Sequence, residues 1–342
     1  MTTTQRIQCP PGGVDFTTPG RRDYFVRFEH PTLWGWRLVP VTVLVGPNAQ
    51  PGRGVLCNGS THGDEYEGPV AIKDLMQSIR LEDVLGRIVL IPTLNVAAFN
   101  TGTRDTPDDG KNLNRCFPGN PQGTITDKFA HFISAQVFPQ VHTVIDLHAG
   151  GNVARFARCM SFHRVPDPVQ RRAMEQTARA FGTPFVMIYQ DETPGLLPSC
   201  AERMGKISLG AELGWGQAVS REGVGMARQG LLNALIAQEQ LRGTPPENRH
   251  TPLAKQVLVD ASDLNCYIAA DHASWFEPCV ELGEKVATGT LVARLHDFDQ
   301  IDAPPREIRA PHTGYITTQA WKAKVERGQV ITVVAPQIEW LS

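Results

Sequence analysis

The chain has 342 residues, 41% of them hydrophobic, which is enough apolar material for a sizeable core and for more than one average domain. Lys and Arg total 33 against 35 Asp and Glu, giving a formal charge of −2, and neither a basic block nor an aromatic-plus-basic stripe stands out, which argues against nucleic-acid and membrane partners. Met1–Arg6 lacks the apolar stretch of a secretory signal, no apolar run is long enough to span a bilayer, and the seven cysteines are scattered without a C-x-x-C pair, so reduced thiols and a cytoplasmic location are expected.

Asp23–Glu29, which alternates with aromatics, and Arg37–Val45, rich in Val and Leu, read as β segments. Gly54–Gly59 is a short apolar run ending in Gly and Ser. The spacing of Val70, Ile72, Leu75, Met76 and Ile79 predicts a helix over about Glu67–Ile79. Arg87–Leu94 follows as a buried strand, and about Asn100–Gly123 is loop, of a length that is often functional inside a globular chain. Thr126–Phe138 reads as helix, His142–Leu147 as a strand stopped by Ala149-Gly150-Gly151, and Pro168–Phe181 as helix. Ile207–Leu213 is a further strand, followed by a helix over about Gly223–Leu241.

Strands alternating with helices predict an α/β sheet. The Pro-rich polar stretch Gly243–Pro252 reads as a linker. Beyond it the helical period disappears, and short Val, Leu and Ile segments are separated by Gly turns. The expected organisation is a catalytic domain over residues 1–250, with the N-terminal β segments included, and a small all-β domain over 253–342.

The strongest chemical signal is Thr61-His62-Gly63-Asp64-Glu65-Tyr66-Glu67-Gly68, placed after a predicted strand and before a predicted helix. His62 and Glu65, three positions apart, can converge on one ion there, and an imidazole nitrogen with a carboxylate oxygen suits zinc. His148, ending the strand Val144-Ile145-Asp146-Leu147-His148, is the candidate third ligand at the carboxyl edge of the sheet, where open α/β sheets place their ligands. Two His and one Glu leave a position for water, which is the catalytic pattern. Asp64, Glu67 and Asp146 stay open. Asp146 alternates with His148, so it could orient a ligand or be an ordinary strand-end carboxylate.

Four ordered blocks then carry a resemblance: H-G-D-E-Y-E-G from His62, N-L-N-R-C-F-P-G from Asn112, D-L-H-A-G-G from Asp146 and A-E-L-G from Ala211. They resemble the succinylglutamate desuccinylase and aspartoacylase family, a deacylase branch related to zinc carboxypeptidases, and within it the N-acetyl-2,4-diaminobutyrate deacetylases. The resemblance implies a carboxypeptidase-like mixed sheet flanked by helices, one Zn²⁺ per chain, and hydrolysis of the amide bond of a small N-acyl amino acid. His62, Glu65 and His148 match its zinc ligands and Glu212 its general base and acid. Asn114 and Arg115 match the pair that grips a substrate carboxylate. Arg104 resembles the arginine that polarises the scissile carbonyl, with a longer spacing to Asn114 than in aspartoacylases. The further substrate arginine of aspartoacylases has only Arg203 near its place, which fits a neutral or cationic substrate side chain better than a second carboxylate.

The segment from Glu277 to Val292, followed by Ile308–Ile316, resembles the small β fold of biotinyl and lipoyl carriers. Its turn stretch His296–Arg309 contains no lysine, so no covalent cofactor is expected. A homo-oligomer is the default expectation. Two other readings compete: a metallocarboxypeptidase acting on short peptides, and a non-catalytic metal- or ligand-binding module, against which the intact Glu212 and Arg115 argue.

Overall fold

The structure, a computed structural model, describes residues 6–30, 34–190, 193–246, 250–251 and 255–341. Met1–Gln5, part of the linker read over Gly243–Pro252 and the expected domain start at 253 lie outside the described residues.

The first part of the chain builds strands β1 (Arg6–Cys9), β2 (Gly20–Glu29), β3 (Trp36–Val45), β4 (Gly54–Gly59), β5 (Arg87–Ile91), β6 (Thr143–His148), β7 (Ala154–Phe156), β8 (Cys159–His163), β9 (Phe185–Tyr189), β10 (Ile207–Glu212) and β11 (Val257–Ala261). Interleaved with them are helices α1 (Glu67–Ser78), α2 (Val96–Thr101), α3 (Ile125–His131), α4 (Pro168–Phe181), α5 (Leu197–Arg203) and α6 (Arg221–Ala237). All strands but β7 form one ten-stranded mixed sheet in the order β1-β2-β3-β5-β4-β6-β10-β8-β9-β11. Its centre, β5-β4-β6-β10, is parallel. A parallel sheet needs cover on both faces, and the buried runs of β4, β5 and β6 supply two apolar faces. On one face Ile72 and Leu75 of α1, Met174 and Phe181 of α4 and Leu231 of α6 pack onto Val55, Ile145 and Leu209. On the other, Phe129, Phe132, Phe138 and Leu197 pack onto Phe28, Leu56 and Val89.

The helix expected over Thr126–Phe138 is three pieces: α3, a π turn over Phe132–Val137 and a 3-10 turn over Phe138–Gln140. Phe129 and Phe132 both meet Phe28 edge-on, at 4.9 and 5.7 Å. The segment then runs into Pro139, which has no N–H to continue a helix. α6 stops at Ala237, short of Leu241, and Glu239 beyond it adopts φ +57°.

The rest of the chain forms antiparallel sheets from β12 (Tyr267–Ala269), β13 (Ser274–Pro278), β14 (Lys285–Val286), β15 (Leu291–His296), β16 (Arg306–Arg309), β17 (Gly314–Ala320), β18 (Lys324–Val325) and β19 (Val330–Ala335). Two strands cross between the parts: β7 pairs with β17, and β11 extends the large sheet beside β9. No helix among the described residues is long and apolar enough to cross a membrane.

Helices α4 and α6 touch so closely that a Cβ at Gly230 would lie 2.2 Å from Cε1 of the buried Phe181. Gly230→Ala therefore forces the pair apart and is expected to cost about 1–3 kcal/mol. A thermal melt showing the same midpoint as wild type would contradict this packing.

Candidate active site

The carboxyl ends of the parallel strands gather the chemistry. β4 leads into the turn carrying His62 and Glu65, β6 ends on His148, and β10 ends on Glu212. Gly63 lets that turn seat against α2: a Cβ there would lie 2.0 Å from the carbonyl carbon of Ala98. Register does the rest, since Glu212 is the direct cross-strand partner of His148 and Asn58 that of Asp146. Neighbouring strands lie about 4.8 Å apart, so paired residues share a face.

Glu65, 2% exposed, is the hub. Its Oε1 lies 2.9 Å from His62 Nδ1 and 3.3 Å from Arg104 Nη1. Its Oε2 lies 2.8 Å from His148 Nδ1 and accepts the Ala149 N–H at 3.2 Å. Burial opposes its charge, but the two imidazoles outweigh burial and hold the carboxyl well below its ordinary range. His148 is held on its other side as well: Nε2 lies 2.7 Å from Asp146 Oδ2. Burial works against a charged ring there, yet Asp146 and Glu65 together hold its pKa well above that of a free histidine. Asp146 is fixed in turn, accepting from Asn58 Nδ2 at 2.7 Å and from Thr61 Oγ1 at 2.8 Å. Its sequence alternatives thus resolve: it faces the same side as His148 and bonds to it.

One donor atom each from His62, Glu65 and His148 lies within 4.8 Å of the others, so the three could hold a metal ion. Two imidazoles and an ionised carboxylate are a donor set for a borderline divalent ion. His62 adds an orphaned donor, because its buried Nε2 has no hydrogen-bond partner. Glu212 as a residue is half-buried, and its Oε2 is shut off from solvent and unpartnered. Burial, then the negative charge of Glu65, pushes its pKa up to about 8. A carboxyl group of that acidity can take and return a proton near neutral pH.

The remaining predicted residues sit on the loop after α2. Arg104 touches the hub directly. Asn114 and Arg115 lie on a 3-10 turn, Leu113–Arg115, and make no bond to the His–Glu–His cluster. The side-chain oxygen of Asn114 accepts the Leu197 N–H at 2.8 Å at the start of α5, so that oxygen is spent on structure and only the amide nitrogen is left. Arg115 is exposed and donates from Nη1 to the Asn114 carbonyl at 2.7 Å, with no carboxylate partner among the described residues. Arg203 ends α5 beside Glu202. Glu202 bonds to His163, and antiparallel pairing of β8 with β10 puts His163 at the sheet edge opposite Glu212.

The architecture has counterparts in known proteins. Residues 51–237 match the family model described as the succinylglutamate desuccinylase/aspartoacylase catalytic domain. The chain is 33% identical over 335 residues to an N-alpha-acetyl-L-2,4-diaminobutyric acid deacetylase of Halomonas elongata, covering 96% of this chain and 95% of that protein. The chain belongs to the succinylglutamate desuccinylase/aspartoacylase family. Solved relatives in this fold include a succinylglutamate desuccinylase/aspartoacylase from Rhodobacter sphaeroides (TM-score 0.89, 33% identity, covering 98% of this chain and 100% of that one). The product-bound ectoine utilization protein EutE (DoeB) from Ruegeria pomeroyi matches with TM-score 0.86 and 31% identity, covering 95% and 98%.

Sequence reasoning assigned no role to several residues that this family member uses to hold its site. Glu67 ties the first turn of α1 to the start of α6: its Oε1 accepts from the N–H and the hydroxyl of Ser220, both at 3.1 Å. Asp64 accepts from the Asn152 N–H at 3.2 Å and Gln217 Nε2 at 3.3 Å, and Gln217 also reaches the Gly102 carbonyl at 3.2 Å. The loop bearing Arg104 and Arg115 is pinned by three carboxylates. Asp108 pairs with Arg37 of β3 and lies 3.1 Å from His30 Nε2, Asp109 accepts from Thr126 Oγ1 at 2.7 Å, and Asp127 takes Lys111 Nζ at 2.6 Å. The density of Asp in that loop was the available signal, but its partners are remote in sequence.

These pins carry a pH signature. Burial tends to raise the Asp108 carboxyl, but the hydrogen bonds from Arg37 and His30 outweigh it and hold the group below the ordinary aspartate value. Lys111 and Thr124 do the same for Asp127. A depressed folded-state pKa stabilises the fold above the unfolded value of about 3.9, and that contribution disappears as pH falls through the folded one. The thermal midpoint is therefore expected to drop in this acid range, and Arg37→Ala should melt earlier at neutral pH with a shallower acid decline. Superimposable pH–midpoint curves would show that Asp108 anchors nothing.

Proposed function

We propose that the chain is a zinc-dependent deacylase that hydrolyses the amide bond of a small N-acyl amino acid, with N-acetyl-2,4-diaminobutyrate the leading substrate. One observation carries the reading: a buried, ionised Glu65 joins two imidazole nitrogens at a sheet edge, with Glu212 beside them in register. The name of the Halomonas relative supports the substrate class.

In this reading His62, Glu65 and His148 hold one Zn²⁺. The metal, when bound, supplies Lewis acidity, which acidifies water toward a pKa of about 7 and polarises a carbonyl. Glu212 takes the proton of the attacking water and hands it to the departing nitrogen, provided both lie within hydrogen-bond reach. Arg104, already at the hub, steadies the scissile carbonyl oxygen. Arg115, exposed and lacking a carboxylate partner, receives the substrate carboxylate with two parallel donors, and the Asn114 amide nitrogen adds a third. Asp146 fixes the His148 ring so that Nδ1 faces the ligand cluster. The chemistry lies in residues 1–250, while 253–342 contributes no ligand and no covalent prosthetic group.

The test pairs metal analysis with a deacylation screen of N-acetyl-2,4-diaminobutyrate, N-acetyl-aspartate and N-succinyl-glutamate. Glu212→Gln should keep its metal and lose on the order of 10²–10⁴-fold in kcat. Arg115→Ala should raise KM far more than it alters metal content. A Glu212→Gln protein as active as wild type, or a wild type that hydrolyses none of the three, would sink the proposal.

A further inference from the structure

Beside the catalytic sheet, where the C-terminal β-sheets meet it, lies a cleft of about 320 Å³ whose wall includes Arg155, Arg158, Phe185, Trp215, Glu222 and Glu281. His62, Glu65, His148 and Glu212 do not line it.

The two arginines differ in kind. Arg158 is consumed by structure: Nε donates to the Leu213 carbonyl at 3.0 Å, Nη1 to Glu222 at 2.9 Å and Nη2 to Ser220 Oγ at 3.4 Å. Its guanidinium lies 5.2 Å from the Trp215 ring. Arg155 stacks on the same indole at 5.5 Å but pairs with no carboxylate among the described residues. Its Nε is buried and has no hydrogen-bond partner. Burying a guanidinium N–H with nothing to accept it costs stability, so the position asks for an acceptor that the chain does not provide. In the same lining, the exposed Glu281 side chain forms no ion pair among the described residues. The lining of the cleft thus combines the Arg155 guanidinium, the Glu281 carboxylate and the rings of Trp215 and Phe185.

We propose that this cleft binds a free α-amino acid, its carboxylate on Arg155, its ammonium toward Glu281, and its side chain against Trp215 and Phe185. A planar guanidinium prefers a carboxylate, a carboxylate prefers an ammonium, and a cleft of this size suits a ligand of a dozen or so atoms. The inference goes beyond the deacylase reading and does not depend on it. The location gives the ligand leverage, because β7, which carries Arg155, runs on from the turn after His148, and Trp215 follows shortly after Glu212. An occupant touches both segments without entering the metal cluster.

Calorimetric titration of the full-length, metal-loaded protein with L-leucine tests this, with leucinamide lacking the carboxylate and 4-methylpentanoate lacking the ammonium. Saturable leucine binding is expected, with both analogues weaker. Arg155→Gln and Glu281→Gln should each weaken it by about tenfold or more, as expected for loss of a charged hydrogen bond. Arg155→Lys should recover only part, since it keeps the charge and loses the fork. Neither Gln variant should change metal content or hydrolysis measured without added amino acid, which separates this site from the catalytic one. Absence of saturable binding, binding unchanged in both Gln variants, or 4-methylpentanoate binding as tightly as leucine would each overturn the proposal.

Discussion

A carboxylate almost wholly removed from water at the edge of the sheet is the constraint around which the rest is arranged. Isolated burial of such a charge would cost far more than the stability of a whole domain, so Glu65 can stay ionised only if several donors reach it. They come from distant parts of the chain: His62 from its own turn, Arg104 from the loop after α2, and His148 and the Ala149 N–H from the end of β6. Satisfying one side chain therefore fixes three segments relative to one another. This is why side chains spread over so much sequence can form one cluster.

The His148 donor is itself restrained. Asp146 holds His148, and Asn58 and Thr61 hold Asp146, which makes a chain of buried polar contacts along the sheet edge. These contacts rigidify the edge, while Asn58 Oδ1 and His62 Nε2 are left buried without a hydrogen-bond partner. The loop carrying Arg104 and Arg115 is tied down differently: its Asp108 and Asp109 reach Arg37 of β3 and Thr126 of α3, and Asp127 of α3 holds Lys111 of the loop. The loop is thereby held by its own carboxylate contacts, and Arg115 keeps a guanidinium that pairs with no carboxylate among the described residues.

How much of this the sequence reveals depends on the range of the interactions involved. The strand ends bearing His62, His148 and Glu212 were legible because apolar runs stop at glycines there, and the helices α1, α4 and α6 were legible from a period of 3.6. Strands β8 and β9 and the short helices α2 and α5 were not picked out, since runs of five to seven residues do not establish a period. Val257–Ala261 reads like any short strand, and nothing local tells it to pair with β9 across the linker rather than with the sheets that follow. The same holds at the site. Residue types named the candidate ligands, but the roles of Asn58, Glu67 and Asp108 depend on partners set by register and tertiary packing.

The C-terminal sheets contribute nothing to the ligand cluster, yet they grip the two segments that leave it. After His148 the chain makes its glycine turn and enters β7, which pairs with β17. After Glu212 it passes through Gly216, where a Cβ would lie 2.9 Å from the ring of Trp321, a residue of the turn following β17. Gly216 in turn donates its N–H to the Gly151 carbonyl at 2.6 Å, joining the two exits. Without that external hold, the ends of β6 and β10 would be free to fray where strands ordinarily give way to mobile loops. Holding His148 and Glu212 at fixed separation is thus a property of both parts of the chain.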